Sequence, residues 1–185
     1  MSRPAARVEV LYSAAAIASR VAELAEAIAA DDGAEPTIVS VLKGSFVFSA
    51  DLMRALHGRG VHPRIDFMML SSYGTGTESS GQVQVLRDIT DDVRGRPVLL
   101  VDDILESGRT LAFARQRLLE HGAARVELCV LLEKPGKRKA EINARYVGFR
   151  TPDLFVVGYG LDYAHYYREL PYIGVVQQDD DAGGG

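Results

Sequence analysis

The sequence predicts an α/β fold in which a mostly parallel sheet is flanked by helices. Three runs, Thr37–Leu42, residues 98–101 and Arg125–Glu133, are apolar enough to be buried strands of such a sheet. The first two each lead through a polar turn into a pattern in which apolar residues recur at helical spacing. This order of strand, polar turn and helix is typical of open α/β sheets, in which ligands bind at the turns.

Length, charge and apolar pattern limit the kind of protein. The chain has 185 residues, enough for one domain over residues 1–185, with a polar, glycine-ending stretch at 177–185 that we expect to be a disordered tail. Its formal net charge of −4 argues against a general nucleic-acid binder, which is usually basic. No apolar run approaches the ~18 residues of a membrane span, and residues 1–9 lack the apolar core of a signal peptide. We therefore expect a cytoplasmic protein without a membrane or nucleic-acid partner.

The N-terminal part of the chain supplies three predicted strands and two predicted helices. Residues 8–11 suit a strand, and Ser13 is placed to cap the helix after it. The apolar positions of that helix recur at helical spacing: Ile17, Val21, Leu24 and Ile28. Strand Thr37–Leu42 precedes a second helical pattern over residues 46–56, and Arg64–Tyr73 is the next strand.

Two polar stretches follow the predicted strands. Residues 71–81 are too polar and glycine-rich to pack and long enough to move, and residues 83–86 are expected to return as the second strand of a hairpin. Four of the six residues 134–139 are basic, a pattern that usually indicates a solvated loop. We expect this of Lys137 and Lys139.

The central polar turn has the composition of a phosphate site. The N-terminus of the following helix offers N–H groups and a partial positive charge, both suited to an anion. Gly108 lets the backbone approach an anion closely. Ser107 and Thr110 add hydroxyl donors, and Arg109 adds a positive charge.

Three carboxylates lie beside this predicted phosphate site. Asp102 and Asp103 follow the buried strand directly, and Glu106 opens the loop. Their charges are unfavourable next to an anion unless cations or a polyhydroxylated sugar lie between, so they indicate Mg²⁺, ribose hydroxyls or both. The simpler alternative is that the aspartates only end a strand and Glu106 only caps a helix.

The order of an apolar strand, two acids, two apolar residues and an acid–hydroxyl–Gly–x–Thr loop resembles the ribose-phosphate signature of the type I phosphoribosyltransferases. Leu42-Lys43-Gly44-Ser45 matches the pyrophosphate-binding turn of their hypoxanthine-guanine members. The resemblance covers roughly residues 8–176. It implies the type I phosphoribosyltransferase fold, with a small hood built from the terminal regions and a mobile lid loop.

The resemblance assigns the phosphate-binding groups. The loop 106–110 would hold the 5′-phosphate of 5-phosphoribosyl-1-pyrophosphate (PRPP), while Asp102 and Asp103 would face the ribose hydroxyls and Mg²⁺. Asp162 would hold a second Mg²⁺. Four residues would contact the pyrophosphate: Lys43, Gly44, Arg138 and Arg168.

The same resemblance assigns a purine site and a lid. Lys134 would donate to the 6-oxo group of the base, Phe155 would stack on its ring, and the Val156 backbone would hydrogen-bond its edge. Ser72 and Tyr73 would begin the lid that closes over the site. A lid suits this chemistry, because a cationic sugar intermediate must be kept from water.

The implied activity is purine salvage. The phosphoribosyl group of PRPP would pass to hypoxanthine, and also to guanine, giving the nucleoside monophosphate and pyrophosphate. One alternative is an enzyme that prefers xanthine or guanine, because Lys134 reads a 6-oxo group that all three bases share. The other is a regulator of the same fold that binds nucleotide or RNA without turnover. The family commonly forms homodimers or homotetramers.

Glu106 departs from the pattern of the family, which usually has Asp at this position. The resemblance makes this carboxylate the base that accepts the purine N–H proton. Glu keeps the charge and extends the reach by about 1.5 Å, enough to reposition a proton acceptor.

Overall fold

Along the residues that it describes, 7–31, 35–73 and 82–177, this computed structural model contains nine strands and three helices. The strands are β1 (Arg7–Tyr12), β2 (Thr37–Leu42), β3 (Arg64–Tyr73), β4 (Gln82–Arg87), β5 (Pro97–Leu105), β6 (Arg125–Glu133), β7 (Tyr146–Arg150), β8 (Val156–Val157) and β9 (Ile173–Gln177). The helices are α1 (Ala14–Ala30), α2 (Phe46–His57) and α3 (Arg109–Glu120). None of these three helices combines the length and the apolar character needed to cross a bilayer.

Six strands form the main sheet, in the order β4-β3-β2-β5-β6-β7. The five strands β3, β2, β5, β6 and β7 run parallel to their neighbours in this order, whereas β4 pairs antiparallel with β3 at one edge. The predicted α/β fold with a mostly parallel sheet is confirmed.

Helices cover both faces of this sheet. Leu99 and Val101 of β5 share a core cluster with apolar residues of α1 and α2, whereas Val98 and Leu100 share the opposite cluster with α3. Side chains alternate between the two faces along a strand, so a strand that is buried on both faces needs apolar residues throughout. This packing explains the uninterrupted apolar run at residues 98–101.

The predicted hood is a separate antiparallel sheet in the order β1-β9-β8, built from both terminal regions. Val8 pairs with Val176, and Val156 pairs with Val175. Gln177, which the sequence places in the tail, belongs to β9, and its amide donates to the Glu9 carboxylate at 3.0 Å. Residues 178–185 lie outside the described residues.

Candidate active site

A cleft of about 520 Å³ lies at the C-terminal edge of the parallel strands. The ends of β2 and β5, the turns that follow them and the chain after β8 line it. Ten of the residues assigned from the sequence belong to this lining: Lys43, Gly44, Asp102, Asp103, Glu106, Ser107, Gly108, Thr110, Asp162 and Arg168. The fold therefore brings the motifs that the resemblance assigns to ribose, phosphate and pyrophosphate into one cleft.

The loop at residues 106–110, named the phosphate loop after its assigned ligand, is short and tightly held. β5 continues to Leu105, so the two aspartates lie within the strand rather than after it, and α3 begins at Arg109. Gly108 caps the helix with a φ of 78°, and a Cβ there would lie 2.7 Å from an Ile142 methyl carbon. Both the backbone conformation and the packing therefore require glycine at this position.

The carbonyl of Ser107 anchors the same loop to the basic run that follows β6. It accepts hydrogen bonds from the backbone N–H groups of Lys139 at 2.8 Å and Ala140 at 3.2 Å. The Ser107 hydroxyl accepts from the Arg109 N–H at 3.4 Å. The phosphate loop and the run at residues 134–139 thus form one contiguous surface beside the cleft.

Asp102 and Asp103 form a crowded pair of carboxylates. Only 8% of Asp102 is exposed, and its Oδ1 accepts the Asp103 N–H at 3.0 Å. Burial, together with repulsion from Asp103, raises the pKa of Asp102 well above its usual range, and burial also raises the pKa of Asp103. A cation or hydroxyl donors at this position would favour the ionised form of the pair.

The turn after β2 lies directly against this pair. A Cβ on Gly44 would lie 1.5 Å from Oδ2 of Asp103, and a Cβ on Gly160 would lie 2.1 Å from the Gly44 carbonyl oxygen. The Leu42–Lys43 peptide bond is cis, a feature that the sequence pattern does not reveal. Three segments distant in sequence therefore meet at distances that only glycine permits.

Ser45, the last residue of the Lys-Gly-Ser motif, is buried rather than part of the lining. Its hydroxyl lies 2.7 Å from that of Ser40, which in turn lies 2.7 Å from that of Ser49. Buried hydroxyls need such partners, because an unpaired one is costly. These three serine hydroxyls link the end of β2, the turn after it and the start of α2.

Asp162 and Arg168 form an ion pair at the opposite side of the cleft. The Arg168 guanidinium lies 2.7 Å from Oδ1 of Asp162, and the His165 N–H donates to Oδ2 at 2.8 Å. The residues assigned to a second Mg²⁺ and to pyrophosphate therefore contact each other.

The donor set fits Mg²⁺ that arrives with a phosphate ligand. Among the described residues, no group of three or more His, Cys, Asp or Glu side chains is arranged to hold a metal ion. Mg²⁺ usually binds through one or two carboxylates, substrate phosphates and water rather than in an all-protein cage. Asp102 and Asp103, at the floor of the cleft, provide such a partial site.

The three residues assigned to the purine are not part of the lining of the cleft, and Lys134 is the one with a hydrogen bond to the end of β5 among the described contacts. The Lys134 backbone N–H donates to the Leu105 carbonyl at 3.0 Å, and the lysine is only 7% exposed. Phe155 is 55% exposed, with its ring edge-on to Tyr163 at 5.4 Å between centroids, while Val156 is buried in β8. A buried cation near an exposed aromatic face suits a planar base that carries an acceptor oxygen.

A chain of ion pairs connects Lys134 with Glu106 of the phosphate loop. Lys134 Nζ lies 3.7 Å from Oδ1 of Asp153. The other carboxylate oxygen of Asp153, Oδ2, lies 2.6 Å from Lys137 Nζ. Lys137 Nζ also lies 3.2 Å from Oε1 of Glu106. Hydrogen bonds to Asp153 and Glu106 raise the pKa of Lys137, and the hydrogen bond from Lys137 lowers the pKa of Asp153. Lys137 lies in an exposed loop, as expected, and it also forms ion pairs with Asp153 and Glu106.

Four other assigned residues lie away from the lining of the cleft or have side chains outside the described part of the structure. Arg138 packs behind Gly108 and donates to Glu133 at 2.7 Å, so its contact with pyrophosphate stays a prediction. Arg109 is the first residue of α3. The backbones of Ser72 and Tyr73 end β3, and the lid residues 74–81 lie outside the described residues.

Comparisons with known proteins match nearly the whole chain. A family model described as the phosphoribosyl transferase domain matches residues 7–164. Hypoxanthine phosphoribosyltransferase of Salmonella typhimurium is 44% identical over 172 residues, which cover 91% of this chain and 95% of that protein. The range matched by the family model includes the acidic pair Asp102 and Asp103 and the phosphate loop.

Solved structures agree with this similarity. A hypoxanthine-guanine phosphoribosyltransferase of Bacillus anthracis is 44% identical, with a TM-score of 0.86 over 91% of this chain and 98% of that chain. A Trypanosoma cruzi hypoxanthine phosphoribosyl transferase, studied for the role of its C-terminal region in oligomeric state and enzymatic activity, is 37% identical. Its TM-score is 0.87, and the match covers 96% of this chain and 95% of that chain.

Proposed function

Because this chain belongs to the phosphoribosyl transferase domain family, we propose that it transfers the 5-phosphoribosyl group of PRPP to hypoxanthine, and also to guanine. The products are the nucleoside monophosphate and pyrophosphate, which makes the reaction a step of purine salvage. One observation carries the proposal: a single cleft joins the acidic pair, the phosphate loop and the Lys43-Gly44 turn. The names of the relatives support the choice of base.

The cleft supports a division of labour between its residues. N–H groups and hydroxyls of the loop 106–110 bind the 5′-phosphate, and Asp102 and Asp103 accept hydrogen bonds from the ribose hydroxyls. A purine ring nitrogen attacks C1 of the ribose as the C1–O bond to pyrophosphate breaks. Glu106 accepts the N–H proton of the purine, and Lys43 and Arg168 hold the departing pyrophosphate. Carboxylates near the ribose favour its developing positive charge.

Mg²⁺ is the cofactor that this donor set suits. Asp102 and Asp103 would hold it directly or through water, and Asp162 would hold a second ion in exchange for its contact with Arg168. When bound, the metal neutralises charge on the pyrophosphate leaving group.

An assay of product formation tests the proposed function. Purified protein with PRPP, Mg²⁺ and labelled hypoxanthine should form labelled nucleoside monophosphate, and guanine should also react. A clear preference for xanthine would favour the alternative specificity. Nucleotide binding without turnover of any 6-oxopurine would indicate a regulator and overturn the proposal.

Lys134→Met should weaken the use of 6-oxopurines far more than PRPP binding. The variant removes a buried donor to the base, which should cost ~1–3 kcal/mol in kcat/KM for hypoxanthine, and more for a charged donor. Steady-state kinetics with each substrate varied in turn measure the two effects. Lys139→Met is the matched control, because Lys139 is exposed and forms no ion pair with the described residues. An unchanged kcat/KM for hypoxanthine would remove Lys134 from the base site.

Gly44→Ala should lower kcat/KM for PRPP by about 10²-fold, because the added methyl displaces the Asp103 carboxylate. Gly58→Ala makes the same chemical change at a position with a φ of −61°, where the new Cβ would lie 3.4 Å from the Ala55 carbonyl oxygen. This control should retain full activity. Equal activity of the two variants would show that the close contact between Gly44 and Asp103 is not needed for PRPP use.

The protein is further proposed to be a cytoplasmic homodimer or homotetramer. Phe46 is 45% exposed at the start of α2, next to an apolar cleft of about 700 Å³ between α1, α2 and the chain near Leu170. A second copy would cover this surface. Sedimentation velocity should give a species of at least twice the monomer mass, and a monomer at micromolar concentration would contradict this.

A further inference from the structure

We infer that Lys137 is a positioning residue that holds the Glu106 carboxylate at the purine side of the cleft, an inference that rests on the proposed function. Its ammonium group is shared between Glu106, at the start of the phosphate loop, and Asp153, beside the purine-reading Lys134. A lysine ammonium carries three donors on a compact charge, so it can serve two carboxylates at once.

Contacts with two other segments position the loop that carries Lys137. The backbone N–H of Lys139 donates to the Ser107 carbonyl at 2.8 Å, which ties the loop that carries Lys137 to the phosphate loop. At the other end, Asp153 lies two residues before the exposed ring of Phe155. Lys137 therefore bridges the two segments that carry Glu106 and Phe155, both of which the proposed function assigns to the base.

Residue 106 is Glu rather than Asp, and this longer side chain explains why a partner such as Lys137 is needed. Glu is about 1.5 Å longer than Asp and has one more rotatable bond, so its carboxylate has more positions to sample. The Glu106 side chain is 39% exposed and would be free to turn towards solvent without a partner. The ion pair with Lys137 selects one arrangement, which a shorter Asp would not need.

The ion pair itself contributes little to folding. Lys137 and Glu106 have side-chain exposures of 47% and 39%, and pairs between such exposed groups are weak because water screens them. Loss of Lys137 should therefore appear in catalysis and leave thermal stability unchanged. A lysine that instead contacted a substrate phosphate would affect the KM for PRPP.

The experiment compares three single variants of the full chain in the hypoxanthine assay. Lys137→Met should lower kcat about fivefold, with the KM for PRPP and the Tm unchanged, because an exposed ion pair can shift the position of the proton acceptor only by about that factor. Lys137→Arg keeps the charge and should recover most of the lost kcat. Lys139→Met, the neighbouring exposed lysine, should stay within about twofold of the parent.

Coupling to residue 106 separates positioning from a general effect on the loop. In a Glu106→Asp background, Lys137→Met should change kcat by less than about twofold, because the shorter carboxylate does not reach the ammonium. An equal loss in both backgrounds, a loss confined to the KM for PRPP, or no loss in the parent would each overturn the inference. If the parent turns over hypoxanthine but the coupling is absent, the inference fails alone; if the parent does not turn over, the proposed function fails first.

Discussion

Removal of Mg²⁺ should reduce turnover of hypoxanthine to background. A bound metal ion supplies several kcal/mol of charge stabilisation, so its loss should slow the reaction by about 10³-fold or more. Asp102 and Asp103 cannot replace it, because a carboxylate carries no positive charge that could neutralise the departing pyrophosphate. Steady-state assays in excess chelator, with PRPP and hypoxanthine saturating, measure the effect.

Two controls separate the loss of metal from loss of structure. Adding back Mg²⁺ should restore full activity, and the circular dichroism spectrum should be the same with and without chelator. The second expectation follows from the fold, in which the described carboxylates form no closed metal cage that folding would require. Full turnover in chelator with no divalent metal present would rule out the proposed cofactor.

The central strands of the main sheet could be predicted from local pattern alone. The bounds of β2, β3 and β6 are those that the sequence predicts. β2 and β6 are largely buried on both faces, and such strands need an almost uninterrupted apolar sequence. Ser13 caps α1 as expected, since its hydroxyl accepts the Ala16 N–H at 3.2 Å. These features depend on residues that are close together in the sequence, so a local sequence pattern can predict them.

The strands at the edges of the fold carry weaker signals. β7 has five residues and β8 only two, and neither has a long apolar run. In the hood, Val8 pairs with Val176, so its register depends on contacts between opposite ends of the chain. Local periodicity contains no information about such pairing, and the hood follows only from the resemblance to a known family.

The candidate site divides in the same way. The linear motifs around Asp102 and Lys43 are visible because each residue type stands at a fixed spacing within one turn. The bridge from Glu106 through Lys137 to Asp153 joins three separate segments, so a basic run of ordinary appearance conceals it. In the sequence, the only sign of this bridge is that Lys137 follows Lys134 by three residues. That spacing becomes informative only when the run at residues 134–139 is known to pack against the phosphate loop.

Glu106→Gln should lower kcat by ~10²–10⁴-fold, the usual contribution of a general base, while the affinity for PRPP stays nearly the same. Gln matches Glu in size but cannot accept the purine N–H proton. The carboxylate has an electrostatic cost next to a bound 5′-phosphate, so its presence in this loop indicates a function that a neutral residue would not serve. Single-turnover kinetics with saturating PRPP and hypoxanthine measure the chemical step directly.

The Glu106→Asp variant is the control for charge, because it restores the residue that the family usually has. It should retain more activity than Glu106→Gln, since a carboxylate that is about 1.5 Å shorter still accepts a proton whereas an amide does not. If Glu106→Gln instead turned over within about threefold of the parent at neutral pH, Glu106 would be a loop or capping residue. The proton would then leave to water or to another group, and the contact with Lys137 would be an ordinary surface ion pair of little consequence for catalysis.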